Sequence, residues 1–328
     1  MIKFFRNSYI IQYVAIALLC LLLWLPSFVT GRVDVAWRSP VTPLYNLVAD
    51  LLDFWPYALL LLAFLINAFG AVFFNSILAS NQIINKVNTL GSVVFLLLTN
   101  LIPSQTSFYP FALASVFVLM FVHTLFAINQ SQKPELYLLN SGVYLSLATM
   151  CCFPMLLLAL WGVIALGIIH KGSLRLHLIP FIGLLLPYFI YFVVHFLMGD
   201  LSSLWQDYGN YFNSLHLTVH GFTWMKLALL AFLLLVSAMP LLMPRNYSFE
   251  KTVSVRTRIS MTVVLLLFGV FMLFLEGDPM KSGVLFIALG VLFSYELAYI
   301  DGIRWSNVTF ALFMLGVLAL HYVPLFVG

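Results

Sequence analysis

Residues 138–169 form 32 consecutive positions without a Lys, Arg, Asp, Glu or His. The stretch is too long for one straight membrane crossing, and Pro154 interrupts it directly after Cys151, Cys152 and Phe153. A proline inside a helix removes a backbone hydrogen bond and clashes with the preceding turn. The stretch is therefore either one kinked helix or two short helices folded at 150–154. Flanking charge separates the two. Lys133 and Glu135 precede it, and His170, Lys171, Arg175 and His177 follow it. Both flanks have the basic character of cytoplasmic loops. A single crossing would put them on opposite sides, so the pattern predicts a hairpin. Each arm has about 15 residues, roughly 23 Å at 1.5 Å per residue, short of the ~30 Å hydrocarbon core.

The rest of the chain agrees on class. Hydrophobic residues make up 63% and charged residues 8%, with a mean hydropathy of +1.07. Soluble domains carry about 25% charged residues. In lipid every backbone polar group must bond internally, which leaves helices and closed barrels. The apolar runs are continuous rather than alternating, which excludes a barrel. The expected fold is an all-α, polytopic transmembrane helical bundle in a single domain, 1–328, with outer loops at 31–56 and 199–223 and no soluble domain.

In chain order, spans are expected near 9–29, 57–77, 89–102 and 110–128. The two hairpin arms follow, then 179–198, 224–243, 259–275, 283–300 and 308–326. That makes about 11 membrane segments. The run at 9–29 is too long for a signal peptide and has no small-residue cleavage site after it, so it reads as a retained span. Within the first long loop, Leu44, Val48, Leu51 and Leu52 fall at helical spacing, the pattern of a helix lying on the membrane surface. With the N-terminus inside and the C-terminus outside, eleven of the fifteen Lys and Arg residues fall on the inner side, as the positive-inside rule requires. Counting the hairpin as one crossing would turn Arg245–Arg258 outward. The net charge of +4 reflects loop anchors, not nucleic-acid binding. Cys20, Cys151 and Cys152 lie in apolar runs without metal-ligand spacing and read as small buried side chains.

Chemistry has few places to reside. Five acids, Asp34, Asp50, Asp53, Asp200 and Asp207, fall in the two outer loops. Asp34 stands just past the first span, beside Arg32, Trp37 and Arg38. It is the candidate base, with Arg32 and Arg38 as phosphate-binding groups and Trp37 alongside; interfacial anchoring by Arg and Trp is the plainer account of the same residues. Glu296 lies inside a span between Tyr295 and Tyr299, and an intramembrane carboxylate is a functional candidate by default. His123, His195 and His321, and Asn67, Asn75 and Asn100, suit hydrogen bonding between helices. His216 and His220 sit four apart without a third ligand, so no metal and no cofactor is expected.

The run Leu139, Asn140, Ser141, Gly142, Val143, Tyr144, Leu145, Ser146, Leu147 and Ala148, with Phe153, Pro154, Trp161, Ile182, Gly183, Pro187, Tyr188 and Phe189, resembles an uncharacterised family of bacterial multi-pass inner-membrane proteins. The likeness covers 43–191 and implies location in the bacterial inner membrane without an activity. The topology is also similar to membrane glycosyltransferases that use polyprenyl-phosphate sugars, in which an acid of the first outer loop serves as base. Only Asp34 matches that position; the usual paired acids and the large outer domain are missing. Three functions follow as expectations: a non-catalytic subunit or scaffold in cell-envelope biogenesis, with membrane lipids and other envelope proteins as partners; a glycosyltransferase-like enzyme acting on a polyprenyl-phosphate-linked sugar at the outer face; or a transporter or flippase.

Overall fold

The computed structural model describes residues 2–7, 9–31, 38–84, 88–101, 106–128, 133–169, 174–214, 253–276, 283–299 and 303–327. Every regular element among these is helical. Among the described residues, five helices are long and apolar enough to cross a membrane: Ile10–Thr30, Tyr57–Ser80, Pro110–Ala127, Arg175–Met198 and Val253–Met272. The protein is a helical membrane protein, as its continuous apolar runs dictate.

Local sequence signals set the helix ends. Proline occupies the first turn of α3 (Pro43–Leu51), α4 (Pro56–Ser80), α6 (Pro110–Ala127) and α7 (Pro134–Cys151), where its fixed φ suits the helix and its missing N–H is not needed. After α1 (Ile2–Phe5), α2 (Ile10–Thr30) ends at Gly31, whose φ of 59° lets its N–H return to the Ser27 carbonyl. That left-handed cap favours glycine.

Two short helices hold the centre. All ten residues of α5 (Leu90–Thr99) are buried, as are twelve of the sixteen in α12 (Val284–Tyr299). A helix apolar all round belongs inside. At about 15 Å, α5 reaches half way through a bilayer, so its ends need polar partners from neighbours. Asn67 of α4 donates to Thr99 Oγ1 at 3.2 Å and accepts from Asn100 Nδ2 at 3.0 Å, while Asn75 donates to the Asn88 carbonyl at 2.7 Å. His321 of α13 (Ile303–Val327) bonds the Asn100 carbonyl at 2.6 Å. These asparagines and His321 serve as interhelical hydrogen-bonding groups.

The 138–169 stretch contains a break and a return. α7 ends at an extended Cys152, a 3-10 turn covers Phe153–Leu157, and α8 spans Leu158–Ile168. α9 (Leu174–Met198) packs along α7 through glycines: a Cβ on Gly142 would lie 2.0 Å from the Pro180 carbonyl oxygen, and one on Gly183 would lie 2.2 Å from that of Leu139. Further along, Tyr188 donates to Thr149 Oγ1 at 2.9 Å. Residue numbers rise together on both helices, so α7 and α9 run parallel. The connecting segment must carry the chain back to the end where α7 began. α8 makes that return beside α6, where Trp161 meets Phe121 edge-on at 5.6 Å. Trp161 also donates to the Met261 carbonyl at 3.0 Å, which ties α8 to α11 (Val253–Glu276).

The helix ends gather into two opposite faces. At one, Ser27 bonds Thr106 at 2.5 Å, Tyr45 donates to the Phe108 carbonyl at 3.2 Å, and α3 lies on the far end of α7. At the other, the Thr89 N–H donates to the Phe5 carbonyl at 2.9 Å, Arg6 donates to the Leu297 carbonyl at 2.8 Å, and the Ile2 N–H donates to Asn307 Oδ1 at 2.9 Å.

Three expectations change in detail. The 199–223 segment is not simply a loop, because α10 occupies Leu201–Ser214. Its apolar side fits against Phe153 and Phe192, which gives an otherwise polar sequence a reason to coil. The buried stripe of α3 is Tyr45 and Ala49, while Leu47 and Leu51 face out. Arg258 is not a loop anchor. It lies inside α11 and is only 2% exposed, where helix-end carbonyls receive its guanidinium. The expected span at 224–243 and the pair His216 and His220 lie outside the described residues.

Candidate functional site: an open cleft beside the surface helix

The proline at its first turn and the stacking of Tyr45 on Phe108 at 5.0 Å fix α3 across the end of α7. Burial pushes the Tyr45 phenol up to about 12, against the opposing field of Arg38. With Tyr45 and Ala49 turned inward, the opposite side of α3 faces α9. Between them lies an open cleft of about 920 Å³, within the roughly 300–1,000 Å³ typical of ligand sites.

Its walls are mostly apolar. Pro43, Leu44, Leu47 and Leu51 line one side, and Pro187, Ile190, Val194 and Met198 line the other, with Met150 between them. The α9 residues recur every three or four positions, so they share one helical face. Four polar side chains join the lining: Asn46, Asp50, Tyr191 and His195. Asn46 Nδ2 donates to the Ser39 carbonyl at 2.7 Å. Its Oδ1 is buried without a partner among the described residues, as is Nδ1 of His195. The His195 ring packs on the edge of Tyr191 at 4.5 Å. Behind this wall Phe153, Phe192, Trp205 and Tyr208 form an aromatic cluster, which holds α10 against α9. Burial pushes the Tyr208 phenol upward.

Charge gathers at the polar edge. Arg38 Nη2 lies 3.1 Å from Asp50 Oδ1 and 3.3 Å from Asp53 Oδ2, with all three side chains 42–62% exposed. Exposed pairs of this kind contribute about 0–1 kcal/mol. One guanidinium facing two carboxylates leaves the trio with a net negative charge. Arg38 is thus engaged by two carboxylates, a poor arrangement for clamping a phosphate by itself.

The other expected site residues divide. Arg32, Asp34 and Trp37 lie outside the described residues. Glu296 is half-buried on α12, one residue from the Leu297 carbonyl that Arg6 holds. That places it at the opposite face from Arg38, so these two do not form one site. Among the described residues no group of three metal-binding side chains occurs. Sequence reasoning singled out neither the Asn46–Asp50 pair nor the Tyr191–His195 pair. The signal was present in both, a four-residue spacing that puts polar groups on one side of a helix.

A second polar cluster is buried at the far face. Arg258 donates from Nε to the Phe126 carbonyl at 3.1 Å and from Nη1 to the Asn81 carbonyl. Phe126 lies in the last turn of α6, and Asn81 caps α4. Each helix C-terminus carries about half a negative charge, so two of them offset one guanidinium. Asn81 Nδ2 also meets His123 Nδ1 at 3.1 Å, so His123 serves as an interhelical hydrogen-bonding group. The cluster pins three helices together.

No family model, curated protein or solved structure matches this chain.

Proposed function

We propose that this chain is a non-catalytic subunit or scaffold of the bacterial inner membrane, serving cell-envelope biogenesis through bound lipid and neighbouring envelope proteins. The observation that carries the reading is the filled centre. α5 is buried on every side, and the Asn67 and Asn100 amide nitrogens and the His321 ring bond neighbouring side chains and backbone carbonyls, while Ser92 Oγ and Asn100 Oδ1 have no partner among the described residues. Polar groups committed to packing support a rigid platform over a water-lined path. The outward cleft and the exposed aromatic residues of α10, Trp205 and Phe212, supply surface for lipid and protein neighbours.

The placement goes with it: about 11 membrane segments, N-terminus inside, C-terminus outside, and the 150–154 turn at the level of the outer leaflet. Supporting this, Lys3, Arg6, Arg256 and Arg258 belong to helix ends at one face, and Arg38, Asp50 and Asp53 to the other. The test is purification of the tagged chain after mild cross-linking, alongside Asp34→Asn, Asp50→Asn and Glu296→Gln strains. A partner retained in stoichiometric amount, with all three strains normal in envelope glycan, supports a scaffold. Loss of envelope glycan in Asp34→Asn at normal protein level would instead establish the glycosyltransferase-like reading.

A further inference from the structure

We infer that the cleft between α3 and α9 holds a phospholipid with a primary-amine head group of the ethanolamine class. Its chain lies along the apolar walls, and its ammonium sits at the edge formed by Asn46, Asp50 and His195. The inference rests on membrane placement of α9, not on the scaffold role.

Three observations converge. The first is location. The α9 wall belongs to a helix apolar enough to cross a membrane, and Ile190, Val194 and Met198 are exposed there. An apolar trough opening sideways from such a helix meets hydrocarbon chains, not water. The second is charge. Among the described residues, two carboxylates against one guanidinium leave the edge net negative. An anionic head group would be repelled, whereas a zwitterion can turn its cation toward Asp50. The third is hydrogen-bonding capacity. The polar edge offers the exposed Asp50 carboxylate as its principal acceptor. Asn46 Oδ1 and His195 Nδ1 have no partner among the described residues; both atoms are covered, so a head group reaches them only when the side chains turn into the cleft. Asp50 uses only Oδ1 toward Arg38, and an ionised carboxylate has about four lone-pair sites. A primary ammonium brings three N–H donors and a positive charge. A trimethylammonium head has the charge without the donors, and a glycerol head has hydroxyl donors without the charge. The amine head is the one that answers both demands.

The test uses the full-length protein in nanodiscs made with equal amounts of phosphatidylethanolamine, phosphatidylcholine and phosphatidylglycerol carrying identical acyl chains. Lipid retained after transfer to detergent is counted by native mass spectrometry. The expected result is retention of phosphatidylethanolamine above both others, and a threefold to fivefold loss of that preference in Asp50→Asn, about the size of a solvent-screened charge contact. Leu47→Trp, which fills the trough without touching the polar edge, should reduce all three lipids together. Both variants must match the wild type in chromatographic profile, which separates loss of lipid from loss of fold. Equal retention of the three lipids, preference for phosphatidylglycerol, or an unchanged preference in Asp50→Asn would each overturn the inference. Release of the chain from membranes by alkaline carbonate would overturn it by removing the membrane placement on which it rests.

Discussion

Replacing Arg258 tests whether a buried guanidinium held only by helix ends stabilises this bundle or burdens it. In Arg258→Met the Phe126 and Asn81 carbonyls, which now accept from Nε and Nη1, are left in an apolar interior. Two hydrogen bonds to a charged donor are worth roughly 1.5–3 kcal/mol each. Attraction to the two helix termini adds up to ~2 kcal/mol where partly buried. Against this stands the desolvation of the ion, several kcal/mol in real proteins. The carbonyls cannot recruit another donor in so closed a site, so the net loss for Arg258→Met is about 2–4 kcal/mol. Arg258→Lys keeps the charge, but one ammonium cannot follow the planar fork to both carbonyls, and the expected loss is about 1–2 kcal/mol. The assay is equilibrium unfolding in mixed micelles by titration with dodecyl sulfate, followed by tryptophan fluorescence. The expected order of stability is Arg, then Lys, then Met. A methionine variant as stable as the wild type would refute the reasoning, because desolvation would then outweigh what the two helix ends return.

Gly142→Leu would place a Cβ 2.0 Å from the Pro180 carbonyl oxygen, so it should separate α7 from α9 and cost about 1–3 kcal/mol in the same unfolding assay. Gly167→Ala, where a Cβ meets open space, should be tolerated, and equal damage from the two would contradict close helix contact. Tyr45→Phe should remove one tyrosine titrating near pH 12 from the phenolate absorbance curve. Because that pKa is raised on folding, the associated stability is complete below about pH 10 and declines as pH rises from 10 toward 12; a Tyr45 midpoint near 10 would sink the account. A single cysteine placed at Lys133 or at Lys171, with the buried native cysteines replaced, should be shielded in both cases from an impermeant thiol reagent applied outside. Labelling of either would break the expected topology.

Which parts of this architecture are readable from residue order follows from the range of the forces involved. The interruption at Pro154 is local, and so are the proline-started helices and the amphipathic α3, because each depends on neighbours within one or two turns. The pairing of α7 with α9 is not local, although its signature is present. Gly142 and Gly183 are the small residues that let two helix backbones approach, yet nothing in either segment says that they face each other. Arg258 shows the limit most clearly. In sequence it closes a basic segment and looks like a surface anchor. What makes it an interior residue is a pair of carbonyls 177 and 132 positions away, brought together only when α4 and α6 end at the same place.

The cleft has the same origin. Asn46 and Asp50 share one side of α3, and Tyr191 and His195 share one side of α9, so each half of the polar edge is legible as a four-residue spacing. Neither half is a site alone, since an exposed Asp on a surface helix and a His in an apolar span each have ordinary structural explanations. They become a candidate site because α7 delivers both helices to one place. Its end carries α3, and its glycine face sets the height of α9. The tight Gly142–Gly183 contact is therefore the structural support of the cleft. The lipid preference and the helix contact should be coupled: a variant that widens the α7–α9 spacing should lose selectivity for the amine head group even with Asp50 intact.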